Sequence, residues 1–244
     1  MSARSGCPDM IVIGVDDTDV PGEGGTGRLA RRLTGELESG GFGRSRGVTR
    51  HQLFQGPGVP MTRRNSSAAI EFSQVASPVE LLDMATTFVR RESLPGSDPG
   101  VALLVGSAPP AVLEFAHSAQ QGLVTQDDAR RAAATAGIDL VGLAGTEHGV
   151  IGALSAAALR AGGSDGRFVG LQGIREVTGS VSVAELLRRT GIAQVIDVEQ
   201  AEPLGEGAML DVGDWVRPRL IGGRPVLVAR REGEAWVNAD ARPA

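Results

Sequence analysis

The chain of 244 residues is 41% hydrophobic, enough to fill one large core or two small ones, yet only 3% aromatic and without tyrosine. A net charge of −5 and so few aromatics count against a surface that grips a long polyanion or stacks single-stranded bases. The single cysteine, Cys7, excludes an intrachain disulfide and a multi-thiolate zinc site. No apolar run approaches the roughly 20 residues of a membrane span, and Met1 to Pro8 lacks the apolar region of a signal peptide. The expected compartment is therefore the cytoplasm.

The first element is the apolar, β-branched run Met10 to Val15, which reads as a buried strand. Asp16, Asp17 and Asp19 follow at once, with Thr18 among them. Then comes a turn-rich segment with Pro21, Gly22, Gly24, Gly25 and Gly27. Leu29, Ala30 and Leu33 fall at helical spacing after it. Crowded carboxylates repel, and each raises its neighbours' pKa unless a cation sits among them. Mg²⁺ suits such a place, because it takes one or two carboxylates and fills its other positions with phosphate oxygens. A glycine loop and a helix start supply N–H groups for phosphate. Asp16, Asp17 and Asp19 are thus the candidate metal ligands and catalytic acids. Thr18, Gly24, Gly25 and Gly27 are the candidate phosphate contacts. Thr26 has two readings: an N-cap of the helix, or a hydroxyl facing a terminal phosphate.

The order Ile13-Gly14-Val15-Asp16-Asp17-Thr18-Asp19, then Thr26 and Leu29-Ala30, resembles the start of the archaeal isoleucine-tRNA 2-agmatinylcytidine synthetases. Those enzymes use ATP to phosphorylate a cytidine carbonyl in the anticodon and then displace the phosphate with agmatine. The resemblance places Thr26 on a threonine that becomes phosphorylated in the family. The family's second threonine is Gly27 here, its aromatic is Arg28, and the cysteine of some members is Gly25.

A Gly/Arg-rich link, 39–47, leads to a strand at Val48 to Phe54. After a turn, 55–60, a polar stretch runs from Thr62 to Ser67, and Ala68 to Phe72 reads as a strand. Pro57, Val59, Pro60, Thr62, Arg63 and Asn65 match the family in order, with Met61 in place of its lysine. Arg63 and Asn65 are therefore candidate nucleotide contacts, against the alternative of a hydrated loop. His51, alone in a strand, reads as structural.

Pro78 to Glu92 is a helix by its spacing, with Ser77 as N-cap and Pro78 at the first position. Val101 to Val105 is a buried strand, entered through Asp98-Pro99-Gly100 as in the family. Helices follow at 111–120 and 125–136, the second opening with a capping-box pattern at Thr125 and Asp128. A strand at 138–144 leads into a second glycine-rich segment, Gly145 to Leu154. It lacks the Lys of a Walker A loop but resembles the family's Ile-Gly-Ala-Leu-Ala-Ala run. Gly149 and Gly152 are its candidate ligand contacts, and Glu147-His148 a candidate acid–base pair. Strands are expected at 167–171, continuing or ending at Ile174 to Glu176, and at 195–198. A helix capped by Ser182 runs to Arg189.

From Glu199 three short strands with tight turns are expected, the first at 210–220. The segment is too short for the family's oligonucleotide-binding barrel and has no cysteines for its zinc ribbon. The expected class is α/β to α+β. The resemblance implies a discontinuous, kinase-like nucleotide-binding domain (10–72 and 165–198), an inserted ferredoxin-like sandwich (73–164) and a short β tail (199–244). It also implies an enzyme of the ATP- and Mg²⁺-using ligase or phosphoryl-transfer type. The acceptor would be a small-molecule amine or other metabolite, or an RNA presented by a partner, without tight tRNA binding by this chain alone. A homo-oligomer is compatible with the composition. The alternatives are a non-catalytic nucleotide-binding regulatory protein and a phosphoaspartate-type phosphatase.

Overall fold

The structure, a computed structural model, describes residues 10–59 and 64–240. The protein is mixed α/β and forms two compact units, Met1–Gly162 and Gly163–Ala244. The first holds β1 (Ile11–Asp16), α1 (Thr26–Ser39), β2 (Arg44–Gln52), β3 (Ser66–Ser73), α2 (Pro78–Glu92), β4 (Gly100–Val105), α3 (Pro110–Gln121), α4 (Gln126–Ala136), β5 (Asp139–Gly142) and α5 (Gly149–Gly162). Its strands lie in the order β5-β4-β1-β3-β2, every neighbouring pair antiparallel. The boundary expected at 72/73 falls at the last residue of β3, and β4 hydrogen-bonds directly to β1.

β1 reads as an unbroken apolar run because helices cover both of its faces. Ile11, Val12, Ile13 and Val15 have no exposed surface. Alternate side chains of a strand point to opposite faces. Val12 packs with Ala69, Ala102, Leu104 and the α5 residues Ala153, Ala156 and Ala157. Ile11, Ile13 and Val15 point the other way, where α1 and α2 lie. α5 touches β1 at backbone distance, since a Cβ on Gly14 would fall 1.9 Å from the carbonyl oxygen of Ala153. α3 and α4 pack on α5 from outside. Near the end of α5, the buried guanidinium of Arg160 pairs with Glu71 at 3.1 Å.

The second unit holds β6 (Arg167–Gly170), β7 (Ser180–Ser182), α6 (Val183–Arg189), β8 (Gln194–Asp197), β9 (Met209–Asp211), β10 (Arg219–Ile221), β11 (Arg224–Glu232) and β12 (Ala235–Asn238). Its strands follow the order β6-β10-β11-β12-β9-β7, with β8 parallel to β11. The segment after Glu199 is β-rich as expected, but it is built into a core. Leu210, Val216 and Leu227 pack with Ile174, Leu186 and Val195.

The helix starts follow the sequence closely. Ser77 accepts from the N–H of Glu80, Ser182 from that of Glu185, and Thr125 and Asp128 close a capping box. Several elements differ. β2 begins at Arg44, inside the expected link, because a bulge between Ser45 and Val48 interrupts the strand's alternation. Ile174 to Glu176 is a turn, with Ile174 buried in the core instead of extending β6. The expected strand 210–220 is two strands, β9 and β10, separated by a turn. No helix among the described residues is long and apolar enough to cross a membrane.

Candidate functional site

Antiparallel pairing brings the ends of β1, β2 and β5 and the starts of β3 and β4 to one edge of the first sheet. Asp16 pairs with Gly100, Val15 with Ala68, Gln52 with Ser66, and Gly100 with Gly142. The described loops that carry expected site residues open at this edge. α5 also starts here: the N–H of Gly149 donates to the carbonyl of Asp98 at 2.9 Å.

The three aspartates are the electrostatic centre of the edge. Asp16 lies under the first turn of α5, where a Cβ on Gly152 would fall 1.8 Å from its Oδ2. Burial, then the charges of Asp17 and Asp19, push its carboxyl up to about 7, although the N–H of Asp17 draws it back. Asp16 still keeps part of its surface accessible. Asp17 has a φ of 53°, a left-handed conformation that aspartate tolerates better than most residues. Burial, then the charges of Asp98 and Asp19, push it to about 6, while His148 and the N–H of Asp98 act against the rise. Asp19 is raised by burial and drawn back by its own N–H.

These carboxylates do not converge on one point. Asp16 faces Gly152, Asp17 lies against Asp98, and Asp19 packs beside Gly24, whose Cβ would sit 2.8 Å from that of Asp19. Among the described residues no three His, Cys, Asp or Glu side chains are grouped to hold a metal ion. The three aspartates expected to hold a metal thus share one strand end but face different neighbours. The left-handed step at Asp17 and the turn that follows send successive side chains different ways. The donors present fit a hard cation held by one or two carboxylates, with the remaining positions left to ligand oxygens.

Thr26 is the first residue of α1 and only 7% exposed. Gly25 occupies the cap position and no side chain caps the helix, so the N-cap reading of Thr26 is corrected. Its hydroxyl accepts instead from that of Thr18, 3.3 Å away and also buried. Gly24 and Gly25 have φ of 91° and 138°, backbone that only glycine adopts readily, and Gly27 is the second residue of α1. The first turn of α1 holds no acidic side chain. Its N–H groups are therefore not capped by an acidic side chain of that turn.

Arg63 lies outside the described residues. The side chain of Asn65 donates to the carbonyl of Phe54 at 2.9 Å, pinning the β2–β3 connection at the same edge. Gly149 meets Gly100 and Asp98 at backbone distance. Glu147 pairs with Arg130, and His148 is exposed within range of Asp17. His51 is fully buried with its Nε2 2.8 Å from the hydroxyl of Thr49, a structural contact. Asp98 has a part that sequence reasoning did not assign. Its backbone faces Asp17 and Gly149, and its carboxylate holds Thr146 in the second glycine loop. Its place just before the β4 strand, on the same edge as the acids, was the available sign.

The class these features define is a mixed α/β fold with an acidic strand end facing two glycine-rich helix starts. Among solved structures, the fold is similar to that of TiaS, an isoleucine-tRNA agmatidine synthetase. Its complex with that tRNA and ATP matches with a TM-score of 0.53 and 22% identity, over 62% of this chain and 36% of that one. Its complex with the tRNA, AMPCPP and agmatine matches with 0.54 and 19%, over 74% and 44%. A tRNA fluorescent labeling enzyme matches with 0.54 and 23%, over 61% and 36%. Among curated proteins, an uncharacterized protein of Methanocaldococcus jannaschii is 30% identical over 153 residues, 62% of this chain and 50% of its own length. The chain thus spans about half the length of that relative and less than half of the solved chains. No protein-family model matches it.

Proposed function

We propose that this chain binds ATP with Mg²⁺ at the β1–α1 edge and uses it in phosphoryl transfer of the ligase type. The observation that carries the reading is Asp16. Burial against α5 and the charges of Asp17 and Asp19 disfavour its ionised form, and a cation at this place would offset both. Asp16 and Asp17 would hold that cation, and Asp19 adds negative potential. A bound Mg²⁺ would supply charge neutralisation for phosphate oxygens.

The chain's own groups do the rest. The backbone around Gly24, Gly25 and Gly27 approaches the phosphates closely, and the start of α1 offers them N–H groups. Thr26, beside them, contacts or accepts the phosphoryl group, with Thr18 orienting its hydroxyl. Gly149 and Gly152 let the start of α5 pack directly against Asp16. Chemistry of this type depends on positioning and electrostatics more than on covalent help.

The fold likeness to TiaS, crystallised with ATP, AMPCPP, agmatine and tRNA, supports this reading. For this chain the acceptor is a small molecule or a partner-presented RNA, since the −5 charge disfavours tight binding of tRNA alone. Calorimetry tests the proposal. ATP should bind with Mg²⁺ and lose most of its affinity in EDTA, and Asp16→Asn should abolish the difference. Equal affinity in Mg²⁺ and EDTA would sink the metal assignment. Metal-dependent binding without any turnover would favour the non-catalytic regulatory reading.

A further inference from the structure

Two arginines at the same edge have no part in the function proposed above. Arg50 stands on β2 in the cross-strand row Val15–Ala68–Arg50, one row before the strand end that carries Asp16. Because Gly14 faces α5, this next row faces the opposite side of the sheet, the side that α1 covers. Only residues 40–43 link α1 to β2, so α1 ends beside the start of β2. It therefore begins near the edge where β2 ends. Arg50 and the start of α1 share both a face and an edge.

The side chain is set for a ligand. Its Nε donates to the hydroxyl of Ser66 at 2.8 Å, which fixes the plane of the guanidinium. Among the described residues its terminal nitrogens donate to no acceptor and no carboxylate pairs with it. Burial, and then the charge of Arg64, hold Arg50 below the usual arginine range. Other partly or fully buried arginines of this chain are paired, Arg160 with Glu71 and Arg219 with Asp240. A half-buried guanidinium with a second cation near it, and no protein anion, is unfavourable until an anion arrives.

We infer that Arg50, with Arg64, forms a phosphate-binding subsite at the β2–β3 end of the sheet, on the α1 face. The fixed Nε leaves the two terminal nitrogens to meet phosphate oxygens as a fork. Exposed Arg64 adds a second charge beside it. The subsite supplies the positive charge that Met61 does not, from a position outside the motif. It rests on the nucleotide reading only for the source of the phosphate, which is either a polyphosphate or an RNA backbone.

Calorimetry with tripolyphosphate, Mg²⁺–ATP, adenosine and a short single-stranded RNA tests the subsite in wild type, Arg50→Gln and Arg64→Gln. Arg50→Gln should weaken tripolyphosphate and ATP alike by about tenfold to a hundredfold, the loss expected for a hydrogen-bonded charge, and leave adenosine unchanged. Arg64→Gln should have a smaller effect in the same direction. It alters an exposed residue, so it carries the test if Arg50→Gln fails to fold. Loss confined to the RNA would assign the phosphate to a strand and still support the subsite. ATP, tripolyphosphate and RNA all bound by both variants as by wild type would overturn it while leaving the nucleotide reading intact. Arg50-dependent binding of tripolyphosphate without any ATP binding would do the reverse. A wild type that binds none of the phosphates would overturn both.

Discussion

Asp98 and Thr146 are joined twice: Oδ1 of the aspartate accepts the backbone N–H of Thr146 at 2.7 Å, and Oδ2 accepts its hydroxyl at 2.6 Å. The same aspartate meets the first residue of α5 through its carbonyl, at 2.9 Å from the N–H of Gly149. One residue just before β4 therefore ties down the loop that launches α5. Thr146→Val removes one of the two side-chain bonds and Asp98→Ala removes both. Each bond contributes about 0.5–1.5 kcal/mol, and Thr146 is exposed, so losses near the lower end are expected. Hydrogen exchange should quicken at 145–150 in both variants, more in Asp98→Ala. Unchanged exchange there would show that the loop is held by other contacts.

The acidic edge makes stability depend on pH in a definite sense. Asp16 rises from 3.8 to about 7 and Asp17 from 3.8 to about 6 in the folded state. The native protein therefore holds protons that the unfolded chain has released over that range. Without metal, these groups favour the fold fully below about pH 4, and their contribution is lost as pH rises through 6 to 7. Asp16→Asn carries no charge, so its stability should fall less over the same window. At pH 8 in EDTA it should exceed wild type by roughly 1–2 kcal/mol, after allowance for solvent reaching the group. Thermal melts between pH 4 and 8 decide it. A wild type that gains stability relative to Asp16→Asn as pH rises would refute the assignment.

Gly152 tests the geometry separately from the charge. A methyl group there would fall 1.8 Å from Oδ2 of Asp16, so either the carboxylate or α5 must move. Gly152→Ala should cost roughly 1–3 kcal/mol as overpacking and remove metal-dependent ATP binding. Asp16→Ala in the same chain should restore most of the stability without restoring the binding. Full ATP affinity in Gly152→Ala would show that Asp16 does not contribute where it now lies.

What was legible in the sequence was local. Ser77 with Glu80, Thr125 with Asp128 and Ser182 with Glu185 each join a side chain to a backbone group three residues away, and all three form as written. β1 was legible because burial on both faces leaves an uninterrupted apolar run. The contacts that shape the site join distant parts of the chain. Gly152 lies against Asp16, Gly14 against Ala153, and Asp98 between Asp17 and Thr146. Their partners depend on how α5 crosses the sheet, which no periodicity reports. The spread of the three aspartates was hidden for a related reason: adjacency in sequence does not fix where side chains point once Asp17 turns left-handed. β7, three residues long, is too short for alternation to show.

Thr26 offers the sharpest test of catalysis. Since Gly25 holds the cap position, a substitution at Thr26 removes no capping bond. It removes only the bond from the hydroxyl of Thr18, 3.3 Å away. Thr26→Val keeps the branched shape of the buried side chain and deletes the hydroxyl. It should lose about 1 kcal/mol of stability, the value of one buried hydrogen bond, and remain folded at 25 °C. If Thr26 only packs the start of α1, ATP turnover should survive that loss. If its hydroxyl takes or supports the phosphoryl group, turnover should fall at least a hundredfold, roughly 3 kcal/mol in the barrier, with ATP affinity changed much less. Thr26→Ser returns the hydroxyl without the methyl group and should recover most of the turnover. Intact-mass spectrometry of wild type with Mg²⁺–ATP adds an independent readout: one added phosphate, mapped to the peptide containing Thr26 and absent from Thr26→Val. A valine variant with undiminished turnover would leave Thr26 a packing residue and move the search for the phosphoryl acceptor elsewhere on the edge.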